Sequence, residues 1–204
     1  MPSERSGPVA GILLAAGTSS RMGRNKMLFE LNRESVLRGA VRRALAGGLS
    51  PLVVVLGHEA ERSRVELDGL PCQIVINPDY EQGINSSVKA GISALPAGTR
   101  ATVVMLADMP FVTPEMIRGL IDRYRESEAP LVISDYEGVN APPMLYDQCL
   151  FDELLTMTGE GCGRQVVRRH REEAEVLSWP ASALADIDVP EDYERALASP
   201  YPLS

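Results

Sequence analysis

The chain has 204 residues, 45% of them apolar, enough for one domain with a sizeable core and against disorder in its body. Its formal charge of −8 at pH 7 argues against the basic face that general nucleic-acid binding needs. Three scattered cysteines (Cys72, Cys149, Cys162) with no C-x-x-C pair, only two histidines, and no apolar run of roughly 18 residues argue against a disulfide framework, a zinc site and a membrane span.

Taken in order, the short polar stretch Met1 to Pro8 lacks a signal-peptide apolar region, so a cytoplasmic location is expected. Val9 to Ala16 is apolar and uncharged, the pattern of a strand buried on both faces. Ser35 is placed to cap a helix from Val36 to about Ala46, ended by Gly47 and Gly48. Leu52 to Leu56 predicts a second buried strand, Glu59 to Leu67 a helix, Gln73 to Ile76 a strand and Ser86 to Leu95 a helix. Ala101 to Leu106 is a further buried strand, and Thr113-Pro114 opens a helix running to about Glu126. Leu131 to Ser134 predicts a strand, followed by a looser region from Asp135 to Met144. Asp147 to Leu155 and Gly163 to His170 suit two helices around a glycine-rich turn, Glu175 to Leu177 a short strand, and Ala185 to Val189 an extended piece. Pro190 opens a last helix to about Ala198, before a Pro-rich, frayed tail. Strands alternating with helices imply an α/β fold: an open, mostly parallel, Rossmann-like sheet with helices on both faces. Nothing marks a repeat or linker, so residues 1–204 are read as one domain with its core at about 9–198.

In such a sheet ligands lie beyond the carboxyl ends of the strands. The first strand ends in Gly17-Thr18-Ser19-Ser20-Arg21-Met22-Gly23-Arg24-Asn25-Lys26, a loop of glycines, hydroxyls and cations. Backbone amides that can approach closely, hydroxyls and clustered positive charge suit a polyphosphate, even in an acidic protein. Walker A is excluded because five residues separate Gly17 from Gly23 and Arg24 follows; G-x-G-x-x-G fails at Ser19. A second marked segment joins Asn77-Pro78 to Gly83, Ser86 and Ser87, and Ser86 also suits a helix cap. A third places Asp108 after the uncharged run Val103 to Ala107, where a carboxylate could hold Mg²⁺ beside phosphate oxygens or merely shape the turn.

Leu14 to Lys26 matches L-A-A-G-x-S-x-R-M-G-x-x-K and resembles the nucleotidyltransferase superfamily, in particular the molybdenum cofactor cytidylyltransferases and their guanylyl relatives, the MobA-like NTP transferases. Leu106-Ala107-Asp108-Met109-Pro110-Phe111 is similar to the family's L-x-D-x-P-F, and Asp186-Ile187-Asp188-Val189-Pro190-Glu191-Asp192 to its D-I-D-T-P-E-D. Isoprenoid cytidylyltransferases carry Pro-Lys-Gln where this chain has Asn25-Lys26-Met27.

The resemblance implies a nucleotide-diphospho-sugar transferase-like fold and the transfer of a nucleoside monophosphate with release of pyrophosphate. It implies nucleotide binding by Leu14, Ala15, Ala16, Gly17, Arg21 and Lys26, with Asn77, Gly83, Ser86 and Ser87 on the base and ribose side. Arg21, Lys26 and Asp108 would be catalytic, and Asp108 and Asp188 would hold Mg²⁺; Asp188 equally suits the cap of the last helix. Ala15-Ala16 resembles the cytidylyl branch, so CTP is favoured over GTP, with molybdopterin as acceptor and a molybdoenzyme as a possible recipient of the product. Other readings are transfer to another small phosphate acceptor, such as a sugar phosphate, or a cofactor-binding chaperone. On the acceptor side, Asn140-Ala141-Pro142-Pro143 stands in place of the family's Gly-His-Pro or Gly-Asn-Pro, and Gly159-Glu160-Gly161-Cys162-Gly163-Arg164 in place of Gly-Asp-x-Gly-Ala-Arg. Cys162 is read as an inert thiol, with reactivity as the alternative.

Overall fold

The fold grows outward from one strand, β1 (Ala10–Ala15), every residue of which is buried. The structure is a computed structural model describing residue 5 and residues 7–159 and 161–199, with Cys162 given by its backbone alone. The expectations for the chain's first residues, for the frayed tail beyond residue 199, for Glu160 and for the Cys162 thiol therefore lie outside the described residues.

Along the chain, β1 is followed by β2 (Glu30–Leu31), β3 (Glu34–Ser35), α1 (Val36–Ala46), β4 (Leu52–Leu56), α2 (Ala60–Val65), β5 (Gln73–Ile76), α3 (Ile84–Ser93) and β6 (Ala101–Leu106). Then come α4 (Pro114–Glu126), β7 (Leu131–Tyr136), β8 (Val139–Asn140), β9 (Met144–Asp147), α5 (Phe151–Thr156), α6 (Cys162–Arg169), β10 (Glu175–Trp179) and α7 (Pro190–Ala198). The main sheet has the order β10-β7-β9-β6-β1-β4-β5, with β8 added to β7; β2 and β3 form a separate two-stranded ribbon. Within the sheet β4 and β6 flank β1 in parallel, β5 continues parallel to β4, and β10 is parallel to β7.

Buried parallel strands need apolar side chains on both faces, and β1 and β4 supply them with A-G-I-L-L-A and L-V-V-V-L. Leu13 and Ala15 turn toward α1 and α4, where Leu37, Val41, Ile117 and Leu120 complete one core layer. Ile12 and Leu14 turn to the other face and join Ile92 of α3, Leu154 of α5 and Val166 of α6. Burying one such aliphatic side chain contributes about 1.5–3 kcal/mol, so the two layers hold the sheet as a rigid platform. Caps set the helix starts. The Ser35 hydroxyl accepts from the Arg38 amide and the Thr113 hydroxyl from the Met116 amide, with Pro114 in the first turn of α4.

Three expectations change. The region after Ser134 is not loose: β7 runs on to Tyr136, turns at Glu137 and Gly138 into β8, and returns as β9, which lies antiparallel between β6 and β7. The predicted helix from Asp147 accordingly starts later, after a 3-10 turn at Gln148–Leu150. Finally, α3 begins at Ile84 with Gly83 as its cap rather than at Ser86.

Candidate active site

Parallel β1, β4 and β6 end on one edge of the sheet, and the loops leaving them build the site. Backbone bonds fasten them there: the Ala107 amide donates to the Leu14 carbonyl (3.0 Å) and the His58 amide to that of Ala16 (3.3 Å). The loop after β1 then turns through Ser19 at φ 53°, a short 3-10 turn at Ser20–Met22, and Gly23 at φ 68°. Glycine reaches that left-handed backbone without cost, whereas Ser19 is strained. Ser19 has a second task, because its hydroxyl accepts from the Lys26 amide (3.2 Å). Buried Asn25 caps the 3-10 turn at Lys26–Leu28 by accepting from the Met27 amide, and its amide group donates to Ser63 (3.3 Å). Lys26 thus stands on a braced segment, with its side chain 10% exposed.

The Lys26 ammonium donates to Asp108 Oδ2 at 2.6 Å and to Asp188 Oδ1 at 2.8 Å. Arg21 donates to the other oxygen of Asp188 at 2.7 Å. Residues 21, 26, 108 and 188, separated in sequence by as many as 167 positions, therefore form one charge cluster. Desolvation alone would lower the Lys26 pKa, but the charges and hydrogen bonds of Asp108 and Asp188 outweigh it and hold the ammonium above its ordinary value. Desolvation would likewise raise the Asp188 carboxyl; Lys26 and then Arg21 pull it below the usual carboxylate value. Asp186 behaves oppositely: desolvation, then the charges of Asp188 and Asp108, raise it.

These residues border a cleft of about 240 Å³ lined by Leu14, Ala15, Gly17 to Arg21, Lys26, Met27, Asp108 and Asp188. Asp188 arrives on a strap whose neighbour Ile187 is buried and donates its amide to the Asp108 carbonyl (3.0 Å). The cap of α7 is Val189, so Asp188 is left to face the cations. Two carboxylates converging on one cation form a hard oxygen donor set suited to Mg²⁺ or a similar dication.

Other expected residues stand apart. Ala16 is buried beside the cleft without lining it. Asn77, 3% exposed, donates to the hydroxyls of Ser86 (2.9 Å) and Ser87 (3.0 Å) and accepts from the Asp79 amide. Ser86 reaches the Asp79 and Gly83 carbonyls, so it ties the loop to α3 instead of capping the helix. The structure knots Asn77, Gly83, Ser86 and Ser87 into a brace at the end of β5 and does not bring them into the phosphate-loop cleft. Arg24 stacks over Phe29 at 4.5 Å, which leaves Arg21 and Lys26 as the cations lining the cleft. In the two segments that depart from the family pattern, Ser134 donates to the Pro143 carbonyl (2.6 Å) and Tyr136 to that of Pro142 (2.9 Å), while Asn85 donates to the Gly159 carbonyl.

Sequence reasoning missed Ser19 and Asn25 as braces and Asp192 as a partner of the strap. Only Asp192 carried a readable signal, an acid three residues after a helix cap. Among the described residues no helix is long and apolar enough to cross a membrane.

The chain is similar to known proteins in sequence and in fold. PucB, the purine catabolism protein of Bacillus subtilis, is 28% identical over 202 residues, 93% of this chain and 96% of that one. Molybdenum cofactor cytidylyltransferase of Escherichia coli is 26% identical over 187 residues, 91% of this chain and 93% of that one. The crystal structure of Rv0371c from Mycobacterium tuberculosis aligns with a TM-score of 0.84 at 24% identity, over 94% of this chain and 98% of that one; a manganese complex of the same protein gives 0.79. Residues 11–174 match the MobA-like NTP transferase domain, and the chain belongs to that family of nucleotidyltransferases.

Proposed function

We propose that the protein transfers CMP from CTP to the terminal phosphate of molybdopterin, with Mg²⁺ held by Asp108 and Asp188. The observation that carries the reading is the convergence of those two carboxylates on Lys26 at the lip of the hydroxyl-rich loop. In the reaction an oxygen of the acceptor phosphate bonds to the α-phosphorus of the triphosphate, the α–β bridging P–O bond breaks, and pyrophosphate departs with that electron pair. The nucleophile is already an anion, so the protein needs no strong base; its task is alignment and neutralisation of charge. Bound Mg²⁺ would supply positive charge to the triphosphate and the incoming phosphate. Lys26 and Arg21 would hold the triphosphate and stabilise the departing pyrophosphate. Amides at Gly17 and Thr18 would cradle its oxygens.

The preference for CTP rests on Leu14-Ala15-Ala16-Gly17 and on the name of the Escherichia coli relative. Pyrophosphate release with CTP, GTP, ATP and UTP, in Mg²⁺, with and without molybdenum cofactor, tests the proposal. Release with CTP only when the cofactor is present is the expected result, and Asp108→Ala abolishes it. Release with a sugar phosphate in place of the cofactor, or none with any nucleotide, would overturn the assignment.

A further inference from the structure

Asp188 is not held in place by its own partners alone. Its backbone amide donates to Oδ2 of Asp192 at 2.9 Å, and the Val189 amide donates to the same oxygen at 2.9 Å. The other oxygen of Asp192 is paired with Arg195, one turn along α7. The Asp192 side chain is 12% exposed, against 72% for Arg195, so the carboxylate is the enclosed member of the pair. On the opposite side of the strap the Ile187 amide is fixed to the Asp108 carbonyl, with the Ile187 side chain seated in the core. Every amide from Ile187 to Val189 is therefore committed, and the direction in which the Asp188 side chain leaves the backbone is set from both ends. Ile187 ties the strap to the strand end that carries Asp108. Asp192 ties it to α7.

We propose that Asp192 is a positioning residue: it fixes the strap so that the Asp188 carboxylate stands opposite Asp108 at the distance one shared cation requires. This rests on the reading of Asp108 and Asp188 as the metal-holding pair. Asp192 touches neither the cleft nor Lys26 and acts only through the two amides. A carboxylate with a free turning radius is a poorer ligand than one held at the required angle, and loss of an outer partner typically weakens a metal site by about 10–100-fold.

The test is Mn²⁺ binding by the metal-free protein, followed by water-proton relaxation, with no nucleotide or acceptor added. Asp192→Ala is expected to weaken Mn²⁺ binding by about tenfold or more, while Asp192→Asn, which keeps an amide oxygen to accept both bonds, recovers most of the affinity. Glu194→Gly, an exposed position in the same helix, serves as the control for a loosened α7; it lowers the melting temperature and leaves Mn²⁺ affinity unchanged. In an Asp188→Asn background, adding Asp192→Ala has no further effect, because Asp192 acts through a carboxylate no longer there. Unchanged Mn²⁺ affinity in Asp192→Ala, or an equal loss in the Asp188→Asn background, would overturn the positioning role. If Asp188→Asn alone binds Mn²⁺ as well as the unsubstituted protein, the metal-holding reading of Asp188 fails, and the positioning role goes with it. Should Asp192→Ala not fold, Asp192→Ser takes its place, since its single short hydroxyl still caps the helix but cannot hold both amides as the carboxylate does: a loss of Mn²⁺ affinity that Glu194→Gly does not share supports the positioning role, and no loss overturns it.

Discussion

Lys26 carries two consequences that its neighbours do not share. Its ammonium occupies the position between Asp108 and Asp188 that a shared dication would take, and with Arg21 it makes the cluster of four groups formally neutral. A bare dication must therefore displace a well-placed internal counter-ion, whereas a triphosphate offers Lys26 and Arg21 another anion to hold. Lys26→Met is expected to lower turnover strongly and yet to bind Mn²⁺ alone more tightly than the unsubstituted protein, as a direct metal titration would show. Acidity offers a second check on the metal-free protein. The folded pKa of Asp188 is depressed, so its stabilising contribution is complete above the unfolded value of about 3.9 and is lost as pH falls through the lower folded value. That of Lys26 is raised, so its contribution is complete below about 10.4 and is lost as pH rises through the folded value. Asp186 is raised, so its ionisation in the folded state costs stability as pH climbs above the unfolded value. Asp186→Asn should accordingly melt slightly higher than the unsubstituted protein at pH 7 and show no gain at pH 3; solvent screening keeps the gain small.

Among the elements, those with a local signature were legible in the sequence. The uncharged runs of β1, β4 and β6, the Ser35 and Thr113 caps, and Pro190 at the start of α7 predict what the structure contains. Strand β9 was not legible, because Met144 to Asp147 is short, follows two prolines and gains its meaning only by pairing with β6 and β7. The site divided in the same way. Residues 21, 26 and 108 announce themselves by charge at the end of an apolar run, while the meeting of Asp108 and Asp188 is a product of tertiary folding. Asn77 stands out through its likeness to a family segment and not through a local signal, and its hydrogen bonds to the two serine hydroxyls on α3 are again a product of folding. The packing of α3 on β1 is itself testable at Gly91. A Cβ there would stand 2.5 Å from Cγ2 of Ile12, a branched core side chain with nowhere to go. Alanine would improve helix propensity by about 1 kcal/mol, but overpacking a filled core typically costs about 1–3 kcal/mol. Gly91→Ala is therefore expected to be neutral to destabilising by up to about 2 kcal/mol, measured from the denaturant midpoint; a clear gain in stability would show that α3 is free to move off the sheet.

For the whole molecule, the arrangement places the chemistry where three distant parts of the chain are joined. The loop after β1, the end of β6 and the strap before α7 meet around Lys26, Asp108 and Asp188, and the strap brings in the last helix described. A ligand that engages all three parts binds the folded state alone and stabilises the whole domain through mass action. At a concentration 100 times its dissociation constant, such a ligand adds about 2.7 kcal/mol. In a domain of this size each kcal/mol is worth roughly 2–4 °C, so CTP with Mg²⁺ should raise the melting temperature by about 5–10 °C. The two components should act together. Mg²⁺ alone meets a neutral cluster whose carboxylates are already paired, and CTP alone brings several negative charges toward Asp108 and Asp188. Each is therefore expected to give a much smaller rise than the pair. Asp108→Ala and Asp188→Ala should remove most of the joint effect. A substitution in the Asn77 brace should behave differently, lowering the starting melting temperature because it leaves the buried Ser87 hydroxyl and the half-buried Ser86 hydroxyl without their donor. Equal shifts from CTP with and without Mg²⁺, unaltered in Asp108→Ala, would mean that nucleotide binds away from the carboxylate pair, and the active site would then have to be sought elsewhere along the carboxyl edge of the sheet.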